Sequence, residues 1–249
     1  MARTINALTE ATSEGVRTPP LVLQIADRLE QEIVSGRYSE GEWLREQEIA
    51  DRLGTSRGPV REALRLVEQE GFVESVAWRG MRVVSMSRSE LDDLLEVVAA
   101  LQGLVSRLVS AHASDSEIDE IERMIETMET TLQSPDGMPR QLALAFEMGV
   151  QLRLICGSRR AGEMLMKVGR LAYWQHRYLL TADKRWRTSA VAKWRRLLAA
   201  IRSRNGDRAD KAARDMVQHS KAYIMRKHHS GGKPLRVQDL PTSIGRDAR

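Results

Sequence analysis

With 249 residues, 42% of them apolar and only 4% aromatic, the chain is long enough for two domains with aliphatic, helical cores, and its composition is not that of a disordered or collagen-like polymer. Its single cysteine, Cys156, excludes an internal disulfide framework and suits a reducing cytoplasm, and no apolar stretch reads as long enough to span a bilayer. The net charge of +5 is unevenly spread: residues 21–85 hold 9 basic and 12 acidic side chains, residues 86–149 hold 4 and 13, and residues 150–249 hold 24 and 7.

Residues 1–18 are polar, carry no signal-peptide core and are expected to form a flexible arm. Ile25, Leu29 and Ile33 then recur every four residues and Gly36 follows as a stop signal, which predicts a first helix. In the run LREQEIADRLGTSRGPVREAL (Leu44–Leu64), Ile49, Ala50 and Leu53 give a second helix its apolar side. Gly54 ends it in the left-handed backbone that glycine tolerates. Ser56 is placed to cap a third helix, and Pro59 sits in its first turn, where a missing N–H costs nothing. Val60, Ala63, Leu64 and Val67 fall at helical spacing on a buried face. Arg57, Arg61 and Arg65, four apart, form a separate exposed ridge about a third of a turn away. A helix held by its back and showing guanidinium groups is what a major groove accepts. Two β-prone runs follow, Val73–Ala77 and Met81–Ser85, joined by Trp78-Arg79-Gly80; this hairpin reads as a wing, with Arg79 and Gly80 at its tip.

From Gly36 to Gly80 the string G-x-x-x-x-G-x-x-L-x-E-x-x-I-A-x-x-L-G-x-S-R-x-P-V-R-E-A-L, then E-G-F-V and a wing glycine, resembles the DNA-binding domain of GntR-family bacterial transcription regulators. The resemblance implies a winged helix-turn-helix over 19–86. It also implies that Arg57 and Arg61 read guanines and that Ser56, Gly58 and the wing hold phosphates. Arg45 and Gln47 open the second helix where such proteins touch the DNA backbone, and Thr55 and Pro59 flank the same surface.

From Ser87, placed to cap ahead of Glu90, the pattern is helical throughout: Leu91 to Leu104, Ile118 to Met128, then roughly Arg140–Cys156, Ala161–Leu180, Ser189–Asn205 and Asp207–Lys227. Ser134-Pro135-Asp136-Gly137 and Asn205-Gly206-Asp207 break it. The acidic and basic blocks are expected to face one another in part; the surplus of positive charge is a solvated face, an anion pocket or a further contact with DNA phosphates. The fold class is therefore mostly α, a winged helix-turn-helix followed by an all-α bundle over 87–228, with 229–249 expected to be a disordered tail.

The bundle's place behind a GntR-like domain resembles the FCD (FadR C-terminal) domain, which implies effector binding and dimerisation. FCD domains often hold a metal on an aspartate and three histidines; here the matching positions carry Ala143, Glu147, Trp194 and His219, so no metal or other cofactor is expected. An arginine often found in the first FCD helix is replaced by Val98. Glu147, Arg153, Trp194 and His219 are the candidate effector-pocket residues. Trp194 either fills the old metal cavity or walls a different ligand; Arg153 either holds a carboxylate or pairs with Glu147. The expected protein is a cytoplasmic, homodimeric regulator, a repressor of a palindromic double-stranded DNA operator, answering to a small organic acid or other anionic metabolite and engaging no membrane. The alternatives are a regulator that needs no effector, or an enzyme with a structural winged helix. No nucleophile–base pair or phosphate loop favours the last.

Overall fold

In the computed structural model, which describes residues 20–134 and 137–229, the chain divides between Ser85 and Met86 into two units. The expected arm over 1–18, Pro135 and Asp136 lie outside the described residues, and of the expected tail only His229, the last residue of the final helix, is described.

The N-terminal unit contains α1 (Leu21–Val34), β1 (Trp43–Leu44), α2 (Glu46–Leu53), α3 (Arg57–Gln69), β2 (Val73–Val76) and β3 (Gly80–Val83). Ile25, Leu29 and Ile33 of α1 pack toward Val60, Ala63, Leu64 and Val67 of α3, all of them buried. Each large side chain so enclosed contributes roughly 1.5–3 kcal/mol. Gly54 takes φ 64° at the end of α2, and the Thr55 N–H reaches the Ala50 carbonyl at 3.0 Å. Arg52 ties α2 to α1 through a two-pronged contact with Glu32 (2.6 and 2.7 Å) and a bond to the Tyr38 hydroxyl (3.0 Å). The wing is wider than the hairpin read from the sequence. β1 pairs with β3, giving the antiparallel order β1-β3-β2 with Trp43 opposite Arg82 and Val73 opposite Val83. At two residues, β1 is too short to show an alternating pattern.

The C-terminal unit is helical: α4 (Arg88–His112), α5 (Asp115–Thr130), a 3-10 turn (Thr131–Gln133), α6 (Gly137–Ile155), α7 (Arg159–Gln175), a second 3-10 segment (His176–Thr181), α8 (Lys184–Arg202) and α9 (Gly206–His229). Ser87 caps α4 as the sequence predicts, in a capping box with Glu90, and Ser114 with Glu117 repeats the device at α5. Two boundaries differ from expectation. α7 gives way to 3-10 geometry at His176 rather than running to Leu180, and α8 begins at Lys184 because the Asp183 carboxylate accepts the Trp186 N–H at 2.8 Å.

α4 corrects a further expectation. By length and composition it is apolar enough to cross a membrane. It is instead the core helix of the unit, with Leu91, Leu95, Val105 and Val109 fully enclosed and α9, α7, α8 and α6 packed around it. At Gly103 a Cβ would lie 2.5 Å from an Asp210 oxygen and 2.9 Å from Arg214 Nε of α9, so a side chain there would displace that pair. The acidic and basic blocks do meet. Arg195 on α8 binds Glu129 with two bonds of 2.8 Å and Glu122 at 3.2 Å, and Arg202 reaches Asp119 (2.9 Å) and Glu122 (2.7 Å), all from α5. Lys221 of α9 binds Asp92 at 2.8 Å and also Glu96, both on α4. Each half-exposed pair is worth only about 0.2–1 kcal/mol, so the network adds register more than stability.

Arg187, 5% exposed, is the buried exception. It donates to the carbonyls of Thr131 and Ser134 (3.1 Å for the latter) and to the Gln141 side chain (3.3 Å), supplying donors that the end of α5 lacks. Arg187→Met strips two buried carbonyls of their donor and is expected to destabilise the full chain by about 2–4 kcal/mol in urea unfolding. A loss below about 0.5 kcal/mol, the range of an ordinary surface change, would show that the cap is dispensable.

Candidate nucleic-acid interface and interior cavity

Arg57 and Arg61 lie one turn apart on the exposed side of α3, and one carboxylate holds both. Glu46, the first residue of α2, accepts from Arg61 Nε and Nη2 (2.9 Å each) and from Arg57 Nη2 at 3.4 Å. The Arg61 bond above all keeps the Glu46 carboxyl below the usual carboxylate range, against the opposing effect of its partial burial. Glu46 is the fixed glutamate of the quoted motif but is given no site role from the sequence, since pairs 11 and 15 residues apart across a turn leave no periodic signal.

The other expected contact residues surround this pair. Ser56 has the extended backbone of an N-cap, but its hydroxyl makes no capping bond; it is exposed at the head of α3. Gly58 is exposed too, with nothing within 4 Å of where a Cβ would stand, so the folded chain itself does not demand glycine there. Pro59 lies in the first turn, and Thr55 is half-buried beside the α2 end. Arg45 and Gln47 are exposed on α2 and its entry, with Gln47 bonded to Asp51 at 2.8 Å. Arg45 and Arg79 line one shallow hollow with Trp43 and Leu44, which brings two separate sequence regions together through the β1–β3 pairing. At the wing tip Gly80 has φ 98° and the Arg79 N–H closes a turn on the Val76 carbonyl at 3.0 Å. Trp78, the third residue of that turn, is fully exposed and takes φ 65°, a conformation costly for an aromatic side chain. Its role is not legible from the sequence, where it reads as a turn residue only.

The effector-pocket candidates separate. Arg153 and Trp194 line a cavity of about 160 Å³ between α4, α6, α7, α8 and α9, together with Gln102, Phe146, Tyr173 and His176. Glu147 does not: it is exposed and makes no pair with Arg153, although, after burial, its charge also helps push up the Tyr173 phenol in the cavity wall. His219 lies outside the cavity as well, its ring stacked on Trp186 (centroids 4.9 Å apart, planes at 10°). Glu147 belongs to a helix whose faces the repeat alone could not orient, because α6 is apolar almost all round. Burial pushes the His176 imidazole down to about 4 and also lowers Arg153. At neutral pH His176 is therefore an uncharged ring, set edge-on to Tyr173 with centroids 5.7 Å apart.

Comparison with known proteins agrees with this division. The family model described as "Bacterial regulatory proteins, gntR family" matches residues 21–83, and the FCD domain model matches residues 93–219, half of the chain. The chain belongs to the GntR family of transcription regulators, FCD-type. Relatives include the HTH-type transcriptional regulator YdhC of Bacillus subtilis (strain 168), 25% identical over 76% of this chain and 84% of that one. The HTH-type transcriptional repressor GlaR of Escherichia coli (strain K12) is 33% identical over 35% of this chain and 40% of its own. Among solved structures, E. coli McbR/YncC shares the fold, with a TM-score of 0.71 at 16% identity, covering 85% of this chain and all of that one. The GntR regulator is thus a DNA-binding protein of helical, winged-helix type, and its matched domains are those of regulators rather than enzymes.

Two outcomes follow for this GntR regulator. Glu46→Gln releases both arginines from their carboxylate, so affinity for random duplex is expected to rise several-fold and the salt dependence to steepen by up to about two ions. Titration at two salt concentrations checks this; unchanged slopes would mean that Glu46 does not compete with phosphate. His176 is held neutral in the folded state, whereas the unfolded chain takes up its proton below pH about 6.5. Stability is expected to fall as pH drops from about 6.5 toward about 4, and His176→Gln should flatten that part of the urea midpoint against pH.

Proposed function

We propose that the chain is a cytoplasmic homodimer that binds a palindromic operator, represses transcription there, and is released by a small organic anion. The observation that carries the sequence-reading part is the arginine pair on one exposed face of α3, set by a single carboxylate and flanked by a wing with glycine at its tip. Paired guanidiniums one turn apart suit bidentate contact with guanine edges in the major groove. Ser56, Gly58, Arg45, Gln47 and Arg79, with Thr55 and Pro59 setting the local backbone, supply phosphate contacts around them. A two-fold operator follows if two copies associate. Val97 and Leu104, seven apart on α4 and 47% and 41% exposed, give the C-terminal unit an apolar outer stripe that supports such an association. Repression is favoured by relatives of that kind, among them the E. coli repressor GlaR. The interior cavity, with Arg153 in its wall, supports a ligand-responsive domain over one with a filled core. Such a ligand acts through the difference in its affinity for the DNA-competent and incompetent states.

Binding-site selection from random duplex is expected to enrich a palindrome with G·C pairs in each half-site. Arg57→Ala or Arg61→Ala should cost about 1–3 kcal/mol per half-site and relax preference at one base pair. Arg79→Ala should weaken binding to all sequences alike and lower the salt slope by about one. Equal losses on operator and random duplex for all three variants would sink this division of roles.

A further inference from the structure

The cavity of the C-terminal unit has an unusual wall. Gly149 of α6 and Gly169 of α7 both line it, and neither has any atom within 4 Å of the position a Cβ would take. Glycine inside a helix is unfavourable relative to alanine and is normally retained where a neighbour approaches too closely for a side chain. Here no neighbour approaches; the two glycines border empty space. The void is therefore a consequence of missing side chains on two adjoining helices, and those helices accept a poorer sequence in keeping it open.

The lining defines what the space would hold. Leu95, Val98, Phe146, Leu165 and Trp194 make most of the wall apolar, and no aspartate or glutamate takes part. Two donors in the wall lack acceptors: the Arg153 Nε, with no ion pair to Arg153 among the described residues, and the Gln102 Nε2 of a side chain only 8% exposed. A desolvated guanidinium without a counter-ion is costly, and a carboxylate that reaches it is bound by strong charge-assisted bonds. Arg170 also lines the cavity but has an interaction of its own. His176 is uncharged at neutral pH. The volume, about 160 Å³, is close to that of an apolar cavity known to hold benzene, about 150 Å³.

We infer that this cavity binds a compact apolar monocarboxylate, of the size of an aromatic or alicyclic acid, with its carboxylate on Arg153 and Gln102 and its ring in the space left by Gly149 and Gly169, without a metal ion. The inference rests on the reading of the C-terminal unit as a ligand-responsive domain and names the ligand class. A dicarboxylate is disfavoured because its second charge would meet a mostly apolar wall whose other cation, Arg170, already has an interaction of its own. A neutral amide of the same shape is disfavoured because it leaves the guanidinium charge unmatched.

The test uses the full chain, with thermal unfolding and calorimetry against benzoate, benzamide and succinate, each in the presence of EDTA and of added zinc. Benzoate is expected to raise the unfolding midpoint and to bind equally well in EDTA, while benzamide and succinate give no shift at the same millimolar concentration. Arg153→Met, which keeps the length of the stem, should weaken benzoate by at least about tenfold. Gly169→Leu fills the void without a Cβ clash, so it should raise the midpoint of the ligand-free protein and abolish the benzoate shift. That second variant keeps the inference testable if Arg153→Met fails to fold. Binding of succinate at least as well as benzoate, or any acid binding that requires zinc, overturns the inference and leaves the ligand-responsive reading standing. No binding by any acid, with operator binding intact, overturns both while the DNA-reading role of Arg57 and Arg61 survives. A Gly169→Leu protein that still binds benzoate would place the ligand elsewhere and overturn the site.

Discussion

The C-terminal unit is organised by one demand: α4 must be enclosed. A 25-residue helix with Leu91, Leu95, Val98, Val105 and Val109 buried along its length cannot be left against water on more than one side. α9, α7, α8 and α6 meet that demand from different directions, with the Asp210 and Arg214 side chains of α9 lying over Gly103. The charge pattern is subordinate to this packing. Acidic α5 lies against basic α8, and Lys221 of α9 against Asp92 and Glu96 of α4, so the pairs select which helix sits where while the apolar core supplies the free energy. The same enclosure makes the cavity possible. A void between helices persists only where rigid neighbours hold its walls apart, and α4 is the common neighbour of the four other helices around it.

The N-terminal unit solves a different problem, that of presenting two long charged side chains in a defined direction. Arg57 and Arg61 have many rotamers, and ordering them on contact with a partner costs entropy. Glu46 reduces that cost by holding both beforehand, but the same bonds must be given up or shared when a base edge arrives. That hold depends on α2 and α3 keeping their relative position, which the Gly54 turn between them sets, while the Arg52–Glu32 contact ties α2 to α1.

Much of the architecture is legible in the sequence because it rests on local rules. The period of Ile25–Ile33, the Gly54 stop, Pro59 in the first turn of α3 and the Ser87–Glu90 box each act within a few residues. What escapes depends on pairs that are close only in space. Glu46 beneath the arginines, β1 beside β3 and Arg187 at the end of α5 bridge segments whose separation carries no period. α6 shows a third limit. Its residues are apolar almost all round, so the pattern could not say that Arg153 turns toward the cavity while Glu147, six residues earlier, turns to solvent. The void escapes for another reason, since Gly149 and Gly169 read as ordinary glycines until the space beside them is seen to be empty.

The tryptophans are distributed with a practical result. Trp174 and Trp194 are buried in the C-terminal unit at 1% and 7% exposure, whereas Trp78 stands wholly in solvent at the tip of the wing. An indole in water emits at longer wavelength and meets collisional quenchers freely; one in a core does neither. The emission of the native chain therefore runs from sheltered Trp174 and Trp194 through half-buried Trp43 and Trp186 to fully exposed Trp78. An aqueous quencher silences Trp78 at the wing tip first, and the emission of Trp174 and Trp194 shifts only when the bundle melts, so the molecule reports its two units with no dye attached.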